Sequence, residues 1–322
     1  MMGTQEDSVK VFANMLIKMN RDMNILSDAT SDRSAKRKAL ERIQTEISNP
    51  ASQSYTLIAV ILKQLLKSLV DPIEKCRELS ITIIQTLIDT NTAESVTRQL
   101  PLIMPVFVVV LGSVEVVEQS EEIRWLFAKC LNSIITKTAA EFAPFVDDTC
   151  KILVRLVGDT YPEVRKEACG IILSVCESNA QALSYQGAKI TKCLVTSLLH
   201  RHANVRVLAV QATCAAMIVD ATGLDESLVA LRELVFDKSP SVRESLYVLA
   251  GKWLVKLIDR YTFGDKVLPL LLAGESDELP KLRTLCRELI DQSGALYEQE
   301  WESRIKDEID YSDGWNCLPG IF

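Results

Sequence analysis

Little in this chain points to chemistry. Among 322 residues there are two histidines, His200 and His202, in one turn with no cysteine or acid beside them, which is a weak metal signal. Nucleotide, hydrolase and metalloprotease motifs are missing: there is no G-x-x-x-x-G-K-[ST], G-x-G-x-x-G, H-E-x-x-H or G-x-S-x-G. Nine cysteines form no C-x-x-C pair, and no histidine is placed to activate a thiol. They are expected to be small buried apolar residues in a reducing compartment. No catalytic, cofactor-binding or metal-binding residue is expected.

Long apolar runs are also absent. The most apolar stretch, Leu100 to Val114, contains Pro101 and Pro105. It falls short of the ~20 residues of a spanning helix and reads as one buried helix. Glu6 and Asp7 precede any apolar run, so no secretory signal is expected, and glycine stands third, outside the myristoylation pattern. Basic residues number 36 against 43 acidic, a net charge of −7. That balance, with 6% aromatics, excludes a general nucleic-acid or anionic-membrane binder.

What is present is repetition. The clearest copy is D-T-Y-P-E-V-R-K-E-A-C-G-I-I-L-S-V-C, Asp159 to Cys176. Pro162 suits a first helical position, and after Arg165 apolar residues fall at +3, +6, +7 and +10 (Ala168, Ile171, Ile172 and Val175). That spacing draws one stripe down a helix. The template recurs at Arg37, Arg77, Arg124, Arg165, Arg206, Arg243 and Arg283, at intervals of 40, 47, 41, 41, 37 and 40 residues. An aspartate stands six before the arginine at Asp71, Asp159, Asp237 and Asp277. A period of roughly 40–47 residues with two helices per unit marks HEAT or armadillo arrays, and the D-x-x-x-x-V-R turn resembles HEAT repeats. The expected fold is all-α: an α-solenoid superhelix of about seven HEAT repeats over residues 1–296, one extended domain.

In order, residues 5–27 predict an opening helix. First (A) helices follow near 54–70, 96–112, 141–158, 185–200, 223–236 and 262–273. Second (B) helices follow near 36–47, 73–90, 121–138, 162–178, 203–220, 240–260 and 280–296. Gln44 is a defect in the first stripe, as expected of a terminal repeat. Gly223, Gly264 and Gly274 fall at expected helix ends, where a positive φ costs a glycine nothing. Val114 to Glu122 reads as an acidic insertion that should protrude, and 297–322 as an acidic, partly ordered linker or tail.

The repeated charges are expected to be structural. Each aspartate can cap the helix after it, and stacked arginines can bridge aspartates of neighbouring repeats. The ladder set is Asp71, Arg77, Asp159, Arg165, Arg206, Asp237, Arg243, Asp277 and Arg283. Recognition then falls to B-helix positions outside the stripe, on the concave side of a HEAT array. The candidates are Glu78, Gln85, Lys129, Asn132, Lys166, Glu167, Gln211 and Glu244, with Thr82, Gly170, Cys214, Val248 and Gly251 beside them. Their mixed charge suits a protein partner rather than a nucleic acid.

One stretch is narrower than HEAT repeats at large. Trp253-Leu254, Asp259-Arg260-Tyr261 and Leu268-Pro269-Leu270-Leu271-Leu272 resemble the N-terminal array of the HEAT-repeat dynein axonemal assembly factor 5 family. So do Ala143 to Asp148, Pro162 to Glu167, Asn204 to Val207 and the acidic segment Tyr297 to Asp310. The resemblance implies a non-enzymatic scaffold in the cytoplasm of ciliated cells. It would pre-assemble axonemal dynein arms for motile cilia, with dynein chains, chaperones or other assembly factors as partners, and bind no membrane. Members of that family continue into a second long array, whereas this chain stops in C-L-P-G-I-F, as a short isoform, a fragment or an imperfect gene model would. Two other readings remain open on the residues alone. One is a HEAT scaffold of a different complex, like a nuclear transport receptor or a phosphatase scaffold. The other is a HEAT-like DNA glycosylase, which the acidic, aromatic-poor composition disfavours.

Overall fold

The structure, a computed structural model, describes the backbone of residues 3–28, 30–48, 57–112 and 117–316, and side chains within 15–28, 30–48, 58–112 and 117–305. The described residues contain helices and no strand. The helices are α1 (Gly3–Ser27), α2 (Arg33–Ile47), α3 (Leu57–Ser68), α4 (Glu74–Thr90), the short α5 (Ala93–Thr97), α6 (Leu100–Leu111), α7 (Glu121–Thr138) and α8 (Val146–Leu156). After them come α9 (Pro162–Ser178), the short α10 (Ala180–Leu183), α11 (Gly187–Leu198), α12 (Ala203–Val219), α13 (Leu224–Glu233), α14 (Pro240–Lys256), α15 (Arg260–Gly274) and α16 (Pro280–Asn316).

These pair off as the sequence period dictates. The B helices α2, α4, α7, α9, α12, α14 and α16 stack in one layer, each on its neighbours, with α1, α3, α6, α8, α11, α13 and α15 forming the other. The B helices touch one another more extensively than the A helices do. Between the layers runs one continuous core. The stripes line it: Ile83, Ile84 and Leu87, then Phe127, Cys130 and Leu131, then Ile171, Ile172 and Val175, then Leu246, Leu249 and Trp253 are all buried. Because the core is shared between neighbours, no repeat buries its stripe alone. Trp253 finds a partner for its indole N–H across a repeat boundary, donating to the Cys214 carbonyl at 3.2 Å.

Three expectations need correction. First, Gly223, Gly264 and Gly274 do not sit at positive φ; the positive φ among described non-glycine residues belongs to Ala139, at 47°. Gly264 lies inside α15, and Gly274 is required by close approach, since a Cβ there would stand 2.3 Å from Cys286 Sγ and 2.9 Å from the Tyr247 ring. Second, the insertion after α6 does not simply protrude. Residues 113–116 lie outside the described residues, but Glu118 is buried at 2% exposure under the B layer. Third, the boundary drawn at 297 falls inside α16, which runs without a break from the last repeat. Its continuation lies back on α15: the Tyr261 and Tyr297 rings meet edge-on at 5.0 Å, and Glu300 accepts from Arg260 and Tyr261. Residues 317–322 lie outside the described residues.

Helix α6 is also less enclosed than its composition implies. Leu102 and Val109 face outward and, with Leu66, Val70, Pro105 and Val106, line an apolar groove on the A layer flanked by Lys63 and Lys67. Within the described residues no helix is long and apolar enough to cross a membrane.

Candidate partner-binding face and the arginine ladder

At most of the turns from an A helix into its B helix the same small device is built. The residue six before the arginine accepts a backbone N–H two residues on: Asp71 from Ile73, Asp159 from Tyr161, Asp237 from Ser239 and Asp277 from Leu279, at 2.8, 2.8, 2.8 and 2.9 Å. This is an Asx-type turn, and it satisfies a donor that the helix start leaves open. The arginine then reaches back to the carbonyl of that same residue, as Arg77 does to Asp71, Arg165 to Asp159, Arg243 to Asp237 and Arg283 to Asp277. Turn and helix are thereby clasped within one repeat.

The other edge of the guanidinium faces the next repeat. Arg124 holds Asp159 through Nε and Nη2 at 2.7 and 2.9 Å, Arg206 holds Asp237 at 2.6 and 2.7 Å, and Arg243 holds Asp277 at 2.7 and 3.0 Å. Arg77 holds Glu118 in the same manner at 2.6 and 2.9 Å. These are bidentate, charge-assisted pairs, and both partners are largely shielded from water. Burial works to raise the Asp277 carboxyl, but hydrogen bonds from Arg243, the Leu279 N–H and Tyr247 outweigh it and leave the group below its ordinary range. Asp237 is held down in the same way by Arg206 and the Ser239 N–H.

The sequence-derived ladder differs from the observed one at five places. It leaves out Arg124, which holds Asp159 as fully as the others hold their acids. Glu118 is a full member that a search for aspartate passes over, although it stands six residues before Arg124. In the first repeat it is Lys36, not Arg37, that reaches Asp71, at 3.3 Å; Arg37 pairs with Glu41 on its own helix. Arg283 bonds the carbonyls of Asp277 and Glu278. Arg165 meets no carboxylate from the following repeat, because His200 stands where the acid should be. His200 Nδ1 accepts the His202 N–H at 3.2 Å, copying the aspartate's turn-forming half. It brings no negative charge for the other half. Arg165 instead reaches the Thr196 carbonyl at 3.2 Å, Ser197 Oγ at 3.3 Å and the Gly158 carbonyl at 3.3 Å. Burial lowers its proton affinity. Burial first, then the nearby guanidinium groups of Arg165, Arg201 and Arg206, lower that of His200.

The candidate recognition residues do lie on the B layer, but many bond to other repeats. Asn132 donates to Glu167 and accepts from Ser174, both at 2.8 Å, Gln85 donates to Ser133 at 2.9 Å, and Glu244 accepts from Lys281 at 2.8 Å. Glu78 and Lys166 pair on their own helices with Lys75 and Glu163. Lys129 lies over the Trp125 ring, 5.5 Å from its centroid. Lys129 and Gln211 are exposed, while Cys214 and Gly251 are buried, Gly251 by Leu289. An opening on this layer, about 530 Å³, crosses α9, α12 and α14. Its floor includes Leu173, Val207, Ile218 and Val248, with Gln211 and Glu244 beside them and exposed Lys252 and Lys256 at one end. Those two lysines were not singled out from sequence, though they lie one helical turn apart on α14.

No group of His, Cys, Asp and Glu among the described residues could hold a metal ion. Burial drives the thiols up, to about 12 for Cys150, Cys169, Cys176 and Cys286 and about 11 for Cys214, away from nucleophile chemistry.

Two stacked helical layers, a shared core and a turn-borne ladder define a helical-repeat solenoid of the HEAT and armadillo class. Solved structures agree on the fold. A designed armadillo repeat protein in complex with peptide (KR)4 matches with a TM-score of 0.57 at 18% identity, covering 71% of this chain and 98% of that one. Computationally designed armadillo repeat proteins for modular peptide recognition match with the same TM-score, 0.57, at 18% identity, over 72% and 98%. The family profile described as "Dynein axonemal assembly factor 5-like, TPR repeats" matches residues 25–308, and the chain belongs to that family. Dynein axonemal assembly factor 5 of Xenopus laevis is 34% identical over 297 residues, 91% of this chain and 35% of that protein. Its Homo sapiens counterpart is 28% identical over 288 residues, 86% of this chain and 34% of that protein. The chain thus spans about a third of the length of these relatives.

Proposed function

We propose that the chain is a non-catalytic scaffold for the cytoplasmic pre-assembly of axonemal dynein arms, holding dynein chains or their chaperones on the B layer. Family membership carries the dynein role. The choice of face rests on the open groove over α9, α12 and α14 and on exposed Lys129, Gln211, Lys252 and Lys256, since the other candidates already bond between or within repeats. An apolar-floored groove with exposed lysines at its end suits a protein segment of mixed apolar and acidic character.

The test is affinity purification of the tagged chain from cells building motile cilia, with partners identified by mass spectrometry. Dynein arm chains and chaperones are the expected catch. Reversing Lys252 and Lys256 to Glu should cut their recovery several-fold while the helical content by circular dichroism stays unchanged. Recovery of a Ran-type GTPase or a phosphatase catalytic subunit without dynein chains would favour a HEAT scaffold of another complex. Unchanged recovery from the double variant would remove the B layer as the binding face.

A further inference from the structure

The groove on the A layer lies where two helices draw apart: α3 and α6 touch less extensively than α6 and α8 do. Between them Leu66, Val70, Leu102, Pro105, Val106 and Val109 line a hollow of about 400 Å³. Val70, Leu102 and Val109 are 55%, 49% and 55% exposed, far from the burial of the stripes. No acidic residue is among the described ones that line it, and exposed Lys63 and Lys67 stand one helical turn apart along its α3 wall. An apolar hollow edged by charge of one sign is complementary to an apolar ridge edged by the other.

The same chain presents such a ridge at its far end. Tyr297 and Glu300 hold one side of α16 against α15. The side facing away carries Trp301, 64% exposed, and Ile305, 39% exposed, one turn apart. Glu298 and Glu302, also one turn apart, are exposed beside them. Trp253 is fully buried and Trp125 packs against the core, so the open indole of Trp301 departs from the way this chain uses tryptophan. Because α16 is fixed on α15 in the last repeat while the groove lies in the second and third, the ridge that fills the groove comes from another molecule.

We propose that the groove between α3 and α6 docks the outer face of α16 from a second copy of this chain. Trp301 and Ile305 enter between Leu66, Val70, Leu102 and Val106, and Glu298 and Glu302 meet Lys63 and Lys67. Both charged pairs are spaced four residues apart on a helix, so the two ion pairs can form together. Each copy carries both halves, which makes the contact head to tail. One aromatic anchor with two rim ion pairs is a small interface, so association should depend on concentration rather than be permanent.

Analytical ultracentrifugation of the full chain over a concentration series tests this. The weight-average mass of wild type should rise with concentration, and added salt should lower it. Lys63→Glu with Lys67→Glu sets like charges face to face and should weaken association about tenfold or more, as should Glu298→Lys with Glu302→Lys. Mixed in equal amounts, the two double variants should associate as wild type does, because each then meets the opposite charge. That rescue also shows that both are folded. Trp301→Ala should weaken association with helical content unchanged. Lys252→Glu with Lys256→Glu should leave it unchanged, so this contact and the B-layer reading stand or fall separately. A wild type that stays monomeric at every concentration, association indifferent to both double variants, or no rescue on mixing would overturn the proposal. Binding of monomeric wild type to phosphatidylserine vesicles, lost in the Lys63/Lys67 variant, would overturn it in favour of a lipid surface.

Discussion

Removing the Asp277 carboxylate should unlock one end of the array. That carboxylate accepts four bonds: Arg243 Nε and Nη2 at 2.7 and 3.0 Å, Tyr247 Oη at 3.0 Å and the Leu279 N–H at 2.9 Å. Its side chain is 2% exposed and that of Arg243 7%. Asp277→Ala leaves a shielded guanidinium short of its main counter-charge, a change that costs about 3–5 kcal/mol when one partner of a buried pair is deleted. Arg243 keeps the Asp237 carbonyl and the Glu278 carboxylate at 2.9 Å, so the low end of that range is expected, about 3 kcal/mol. Asp277→Asn retains the shape and one acceptor and should lose less. Because each repeat leans only on its neighbours, the loss should be local. Chemical denaturation should show a lower midpoint, and hydrogen exchange should show weakened protection in α14 to α16 with α4 and α7 little changed. The pH dependence has a definite sign. Asp277 and Asp237 titrate below their ordinary range in the folded chain, so their contribution is fully present above an unfolded carboxyl value of about 4 and is lost as pH falls through the folded values. A stability change under about 1 kcal/mol for Asp277→Ala, or loss of protection spread evenly along the array, would refute this account of the ladder.

Other consequences follow from particular side chains. Gly274→Ala forces a methyl against Cys286 Sγ and the Tyr247 ring and should destabilise by about 1–3 kcal/mol, whereas Gly264→Ala, with open space at its Cβ inside α15, should stabilise slightly; paired thermal melts read both. Residue-resolved alkylation at neutral pH should label half-exposed Cys193, whose thiol Lys189 and Lys192 partly offset against burial, well before buried Cys169 and Cys286, held at about 12. Comparable labelling of all three in the native chain would show that the core opens freely.

The repeat arginines, the stripes and most helix ends were legible because they are local. A stripe at +3, +6, +7 and +10 can face only one way on a helix, and a proline or aspartate before it starts that helix with no help from elsewhere. Six intervals of 37 to 47 residues then require units that stack, since none could bury its stripe alone. The ladder was legible only as a set of residue types. Which acid meets which arginine depends on how far each repeat rotates and slides on the last. Glu118 enters as a longer carboxylate from a loop that composition alone assigns to solvent, while Lys36 displaces Arg37 from the first rung. For the same reason the open face could not be told from the stitched one. Asn132, Glu167, Gln85 and Glu244 have the polarity of recognition residues, and only stacking turns them toward other repeats, leaving Lys252 and Lys256 at the end of the groove. The residues Tyr261, Tyr297 and Glu300 are each unremarkable in sequence. It is the fold of α16 back along α15 that makes them a contact and carries the last helix past the point where its stripe ends. Local spacing thus determined the repeat unit and its helices, while the pairing of charges and the choice of free surface came from stacking, which no single unit encodes.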